Sequence, residues 1–346
     1  MSTKNKAFVT GSEGFIGSHL VKSLCARGWT VVGSYLAERN NGLPFVPNMQ
    51  CVQCDLRDGQ RISRLLAEHQ PTHIFHLGAQ SLPTVSWADP VGTFESNVMG
   101  SLYLFEGVRR LKRPPIVVSA CSSAEYGIVP LEAVPVNEEQ PLRPLHPYGI
   151  SKVCLDLLAR EYFFDYKIPT VNIRLFNTTG PGKTNDAPSD FVRQLVRIKK
   201  GYQEPVIEVG NVEPRRAFLD VRDTIDGFYL AALKGRPGEA YNLCAKKTCT
   251  IAEILDCALR LSGIRAEIRQ VKRLMRRSDE KIIFGDTAKI RRDTGWRPIL
   301  TIEQTLKSMF EYWETELSLN RNPSCVQLNS QARSMRKRMR PDDRKQ

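Results

Sequence analysis

Tyr148 and Lys152 stand four residues apart, so a helix through them places both side chains on one face. A phenol with an ordinary pKa of about 10 is a poor acid or base near neutrality. A cation held close favours the phenolate and lowers that pKa. Ser122 and Ser123 follow the apolar run Ile116-Val-Val-Ser119. The carboxyl end of a parallel strand is where ligands bind in doubly wound sheets, and a hydroxyl there can hydrogen-bond a reacting oxygen. Ser122, Tyr148 and Lys152 thus make a hydride-transfer constellation: one group orients, one gives or takes the proton, one tunes the pKa. Tyr-x-x-x-Lys alone arises by chance on many surface helices. Its weight here comes from Gly11-x-x-Gly14-x-x-Gly17, far upstream.

In such a turn the first glycine permits the tight bend and the second lets backbone approach a pyrophosphate. The third allows close helix–sheet packing, and the helix N-terminus faces the negative charge. Gly11, Gly14, Phe15, Ile16 and Gly17 are therefore cofactor candidates. An acidic residue at the end of the second strand would bind the adenosine ribose of NAD. Here that end reads Val31-Val-Gly-Ser34-Tyr35-Leu36, with Glu38 and Arg39 following. A missing acid beside a cation points to the 2′-phosphate of NADP(H) as the preferred cofactor, with NAD(H) the alternative.

These residues need elements to hold them. Lys6–Thr10 reads as a strand and Ser18 to Arg27 as a helix; Trp29 to Gly33, Cys51 to Asp55 and His73 to Leu77 read as strands. Ile62 to His69 and Phe94 to Arg110 read as helices, Pro115 to Ser119 as a strand, a helix begins near Tyr148, and Thr170 to Leu175 is a further strand. This alternation predicts an α/β, Rossmann-type doubly wound parallel sheet. After about Gly180 the segments shorten, and a smaller C-terminal α/β substrate-binding lobe is expected. The division is then 1–180 for the cofactor domain, with 217–245 returning to it in part, 181–318 for the second lobe, and 319–346 for a tail. The predicted strands there are Val206 to Val209 and Tyr241 to Cys244; the predicted helices are Thr224 to Lys234, Ile251 to Ser262 and Ile302 to Glu316.

The 346 residues carry a net charge of +13 at pH 7. Residues 319–346 hold eight Lys/Arg against two Asp, and this basic tail is expected to be disordered, its partner unspecified. No apolar run approaches the roughly 20 residues of a membrane span, and no secretory pattern opens the chain, so a cytoplasmic enzyme is expected. Nine cysteines then read as reduced thiols; Cys51-x-x-Cys54 has no second pair or spaced histidine, and no metal site is expected.

Gly11-x-x-Gly14-x-x-Gly17, Asp55-Leu56, His76-Leu-Gly-Ala79, Asn97, Ser122 and Tyr148-x-x-x-Lys152 together resemble the extended short-chain dehydrogenase/reductase family over about residues 6–316. The resemblance places Asp55 and Leu56 beside adenine, and Leu77, Gly78 and Ala79 under the cofactor, with Asn97 nearby. Ser81 to Trp87, Phe176-Asn-Thr-Thr-Gly-Pro-Gly182, Asp220-Val-Arg-Asp223 and Gly295-Trp296 are similar to the GDP-6-deoxy-D-mannose reductases, relatives of GDP-mannose 4,6-dehydratase. That likeness implies a GDP-linked sugar substrate held by Ser81, Ser123, Glu125, Asn177, Val192, Arg216 and Arg276. It also implies a homodimer or a dimer of dimers. The related dehydratases carry a carboxylate two residues after the active Ser/Thr; this chain has Ala124 there. Asn177-Thr-Thr, Arg216-Ala-Phe-Leu-Asp220 and Arg276-Arg277-Ser278 depart from the family's Asn-His-Thr, Arg-Asp-Phe-Thr-Asp and Arg-Pro-Ser. The implied reaction is NADPH-dependent reduction of the C4 keto group of a nucleotide-linked 4-keto-6-deoxyhexose. The alternatives are a nucleotide-sugar 4-epimerase or 4,6-dehydratase, and a non-catalytic dinucleotide-binding regulator.

Overall fold

The computed structural model describes residues 5–36, 46–275 and 280–319. Seven strands form the main sheet: β1 Lys6–Thr10, β2 Thr30–Tyr35, β3 Met49–Gln53, β4 His73–His76, β5 Ile116–Ser122, β6 Thr170–Leu175 and β7 Glu239–Leu243. Their order is β7-β6-β5-β4-β1-β2-β3, and every pairing is parallel. Parallel neighbours need crossovers, which the helices α1 Phe15–Ala26, α2 Gly59–His69, α3 Gly100–Arg109 and α4 Pro147–Tyr166 supply. Strands covered on both faces read as continuous apolar runs, and Ala7, Phe8 and Val9 are all fully buried. Leu20, Val21 and Leu24 of α1 cover one face. Ile62, Leu65 and Leu66 of α2, with Leu104, Phe105 and Leu155, cover the other.

The long helix expected from Phe94 to Arg110 is interrupted. Pro90–Phe94 is α-helical, Glu95–Met99 is a π turn, and α3 follows. The turn's buried residue is Asn97. An extra residue per turn is how a helix re-aims one side chain, and such bulges gather at functional sites.

Beyond residue 180 come α5 Ala187–Lys199, α6 Val221–Lys234, α7 Ile251–Ser262 and α8 Ile302–Leu319. α5, α7 and α8 share a core of Phe191, Val192, Leu195, Ile254, Leu255, Leu306 and Met309. α6 instead packs on the main sheet through Phe228 and Ala231 and leads into β7. Short strands Val206–Val209 and Glu267–Gln270 pair in parallel, and Arg215–Arg216 pairs with Cys249–Thr250 and Ile282–Ile283. Two of the shared motifs prove to be joints. Asp220 caps α6 through the Arg222 amide at 2.7 Å and accepts from Thr305 of α8, also at 2.7 Å. Asp223 accepts from the Ile299 and Leu300 amides, while its carbonyl takes the Trp296 indole N–H at 2.9 Å.

Candidate active site

The carboxyl ends of β1, β2, β4, β5 and β6 open into a cleft of about 2270 Å³, whose far wall comes from the second lobe. At its floor lies the glycine turn. Gly11 has φ +66, and a Cβ there would stand 2.8 Å from the Gly78 Cα. A Cβ on Gly17 would meet the Gly11 carbonyl oxygen at 2.1 Å. Gly14 begins α1 without a side-chain cap, and no acidic residue occupies the first turn. The amides that open the helix are therefore left for an anion, so the residues present fit a dinucleotide pyrophosphate.

Thr10 ties the turn to the neighbouring strand end. Its hydroxyl accepts from the Leu77 and Gly78 amides at 3.0 and 2.9 Å and bonds the His76 ring at 3.0 Å. The opposite His76 nitrogen lies 2.9 Å from Ser101, which donates to the Asn97 carbonyl. Burial pushes the His76 imidazole down to about 3, so it stays neutral in this chain of bonds.

Ser122, Tyr148 and Lys152 all face the cleft. Ser122 ends β5, and Tyr148 and Lys152 share one face of α4. The helix is opened by Pro147 after His146, whose ring accepts from the Gly149 amide at 3.0 Å. The His146 ring also stacks on Tyr148, with centroids 5.8 Å apart, and meets Trp87 edge-on. Sequence reasoning missed both residues; a histidine just before the Pro-Tyr pair was the available signal.

One electrostatic expectation is corrected. The Lys152 ammonium was expected to lower the Tyr148 pKa. Instead it donates to the Ala120 carbonyl at 2.7 Å and lies 6.0 Å from the Tyr148 ring centre. Desolvation pushes the Tyr148 phenol up to about 12, against a hydrogen bond from Ser122 that lowers it. Burial pushes the Lys152 amine down. Burial thus favours the protonated phenol at Tyr148.

Other expected site residues divide in two. Phe15, Ile16, Asp55, Leu56, Leu77, Gly78, Ala79, Ser81, Ser123, Asn177 and Arg216 line the cleft. The Asn177 Nδ2 is buried and has no hydrogen-bond partner among the described residues. Arg216 bonds the carbonyls of Arg215 and Glu280 and lies 3.6 Å from the Glu280 carboxylate. Asp55 is held by Arg57 at 2.6 Å. Three candidates do not reach the cleft. Val192 is fully buried in the second core, because it sits on the inner face of α5. Asn97 is buried behind the wall, bonding the Gln80 amide and carbonyl and the Ser151 hydroxyl at 2.7, 2.9 and 2.9 Å. Glu125 has no exposed surface. It turns inward, where Arg174 lies 3.5 Å away and Asp156 holds Arg174 at 2.9 Å. Arg39, Arg276 and the tail beyond residue 319 lie outside the described residues.

Sequence reasoning also missed Glu13. Its carboxylate accepts from the Leu36 amide at 3.0 Å and places an acid at the end of β2, where the strand itself carries none. Among the described residues, Cys121, Glu125 and Asp156 bring ligand-type atoms within 4.8 Å of one another, and the Arg174 guanidinium supplies the positive charge there.

A glycine cradle, a Ser–Tyr–Lys wall and a facing lobe now stand together, and the family model for GDP-mannose 4,6 dehydratase matches residues 8–309. The chain belongs to that family, within the extended short-chain dehydrogenases/reductases. It is 28% identical to the GDP-6-deoxy-D-mannose reductase of Pseudomonas aeruginosa, over 90% of this chain and 98% of that one. The solved structure of RMD from Pseudomonas aeruginosa complexed with NADPH superposes with a TM-score of 0.79 at 27% identity, covering 90% of this chain and all of that one. The UDP-glucose 4-epimerase of Thermotoga maritima, solved with UDP-glucose, gives 0.81 at 25% identity, covering 90% and 99%. This family member shares its sheet and helices with both. Among its described residues no helix is long and apolar enough to cross a membrane.

Proposed function

We propose that this protein reduces the C4 keto group of a nucleotide-linked 4-keto-6-deoxyhexose, GDP-linked, to GDP-D-rhamnose or its C4 epimer. The observation that carries the reading is at residues 124 and 125. Ala124 lines the cleft and offers no carboxylate, and Glu125 is turned away into the core. Elimination of water needs an acid/base at that place; reduction does not.

A nicotinamide cofactor supplies the hydride when bound. Gly11, Gly14 and Gly17 would hold its pyrophosphate, Asp55 and Leu56 would flank the adenine, and Lys152 would hold the nicotinamide ribose. Ser122 would polarise the sugar carbonyl, and Tyr148 would protonate the C4 oxygen as it becomes an alkoxide. Ser81, Ser123, Asn177 and Arg216 would hold the sugar nucleotide, Asn177 using its unpartnered amide. Arginine suits a diphosphate through charge-assisted, often bidentate bonds. NADP(H) is the preferred cofactor, since β2 ends in Ser34 and Tyr35 and the P. aeruginosa RMD was solved with NADPH. Glu13 at the same strand end favours NAD(H) as the second cofactor. A homodimer is supported by Ile150, Leu157 and Phe164, exposed large apolar side chains spaced seven residues apart on α4.

Absorbance at 340 nm with GDP-4-keto-6-deoxymannose and NADPH, repeated with NADH, tests the reading. Rapid loss of signal that Tyr148→Phe abolishes is the expected result. No loss, with NAD retained by the purified protein, would mark the epimerase instead.

A further inference from the structure

Glu125, expected among the substrate contacts, is buried outside the cleft. Its Oε1 accepts from the Ser122 amide at 2.7 Å, and the Ser122 hydroxyl accepts from the Ala124 amide at 3.2 Å. The two bonds form a reciprocal box that closes the short turn between β5 and Tyr126. Behind the box, the Arg174 Nε stands 3.5 Å from the Glu125 Oε2, and Asp156 and the Tyr126 hydroxyl hold Arg174 at 2.9 and 3.1 Å. A carboxylate with no exposed surface is an expensive way to fill space, and an apolar side chain of similar volume would avoid the desolvation cost.

We propose that Glu125 is the positioning residue for Ser122: bonded to the Ser122 amide, with the Arg174 guanidinium close behind, it fixes the turn and thereby the direction of the Ser122 hydroxyl. The Ala124 amide occupies one lone pair of that hydroxyl. Its proton and second lone pair are left for Tyr148 and for the reacting oxygen. Glu125 acts through Ser122 and never meets substrate. This inference rests on the reductase reading for its kinetic test but not for its structural one.

The test is a cycle of Glu125→Leu, Ser122→Ala and the double variant, assayed with NADPH and GDP-4-keto-6-deoxymannose. Glu125→Leu should lower kcat by about 10- to 100-fold with KM within about threefold, as expected when a group made ready for the transition state is misaligned. On the Ser122→Ala background the same change should cost less than about threefold, because residues that act as one unit are not additive. Glu125→Gln keeps an acceptor for the Ser122 amide and should recover most of the turnover. Additive losses, or a loss confined to KM, would overturn the proposal. Crystal structures of the free variants need no substrate. The Ser122 hydroxyl should leave the Ala124 amide in Glu125→Leu, and finding it in place would overturn the proposal. Should Glu125→Leu fail to fold, Glu125→Gln decides: Oε1 on the Ser122 amide supports the inference, and full turnover with that contact absent refutes it. If the wild-type protein does not reduce the keto sugar, the reductase reading falls while the structural arm still judges Glu125.

Discussion

Replacing Gly17 with alanine should cost cofactor affinity, because the backbone that the new Cβ displaces is the backbone that meets the pyrophosphate. The new Cβ would lie 2.1 Å from the Gly11 carbonyl oxygen, 2.9 Å from the Gly11 carbonyl carbon and 3.0 Å from the Ser12 Cα. All three are backbone atoms, so no flexible side chain can yield. Non-bonded heavy atoms rest near 3.5–4 Å, so the turn and α1 must part by roughly 1 Å or more. That displacement removes at least one amide from the pyrophosphate. A hydrogen bond to a charged group contributes about 1.5–3 kcal/mol, and each 1.4 kcal/mol is tenfold in affinity, so the NADPH Kd should rise about 10- to 150-fold. Gly28→Ala is the matched control. Gly28 has φ +80 with nothing within 4 Å of an added Cβ, so it carries only the left-handed strain of about 1–2 kcal/mol. It should lower Tm while leaving the NADPH Kd unchanged. The assay is a fluorescence titration of NADPH beside thermal denaturation for each variant. A Gly17→Ala protein that binds NADPH within threefold of wild type would refute the reasoning.

Arg174→Met should destabilise the protein by about 3–5 kcal/mol in urea denaturation, because Asp156 and Glu125 would remain buried without their cation; a change below 1 kcal/mol would show the pair to be dispensable. Glu13→Gln removes the acid at the end of β2 and should raise the ratio of NADPH to NADH turnover; an unchanged ratio would mean that Glu13 does not face the adenosine ribose. Burial holds His73 down to about 4 and His76 down to about 3, both below the unfolded value of 6.5. The unfolded chain therefore binds more protons below pH 6.5, and the stability these rings contribute is complete above 6.5 and lost as pH falls towards 4. Urea midpoints should be flat from pH 8 to 7 and decline below 6.5, and His73→Gln should shallow that decline; an identical slope in the variant would place the acid sensitivity elsewhere.

Much of the sheet was legible because strands buried on both faces must be apolar. Thr170–Leu175 and Val206–Val209 were read with their observed bounds, and Ile251–Ser262 likewise, since Thr250 and Glu253 make a local capping box. Helix starts were read late: α1 begins at Phe15, three residues before the expected Ser18, because the glycine turn feeds straight into it. The π turn at Glu95–Met99 left no sequence mark, for its cause is the tertiary demand of Asn97 on Gln80 and Ser151. In the site, spacing alone brought Tyr148 and Lys152 to one face, but which way the ammonium turns depends on the Ala120 carbonyl, thirty-two residues away in sequence. Glu125, expected among the substrate contacts yet one residue past the place of the dehydratase carboxylate, lies in the core for a related reason. One residue's difference along a tight turn exchanges cleft for core, and only Arg174 and Asp156, on other elements, reveal which side a carboxylate can tolerate. Val192 shows the same limit on α5, where a helix lends one face to the cleft and the other to Leu306 and Met309.

The order in which the chain visits its two halves bears on how such enzymes can be recombined. α5 belongs to the far wall, α6 and β7 return to the main sheet, and α7 and α8 go back again. No single cut separates the main sheet from the wall that faces it, so a graft of the C-terminal third from a relative would carry only part of that wall and leave β7 paired with a foreign neighbour. New sugar preferences in this architecture should therefore come from point changes along the cleft rather than from exchanged modules. Any closing of the cleft must bend the chain at several crossings together, at the Asp220 and Asp223 joints among them.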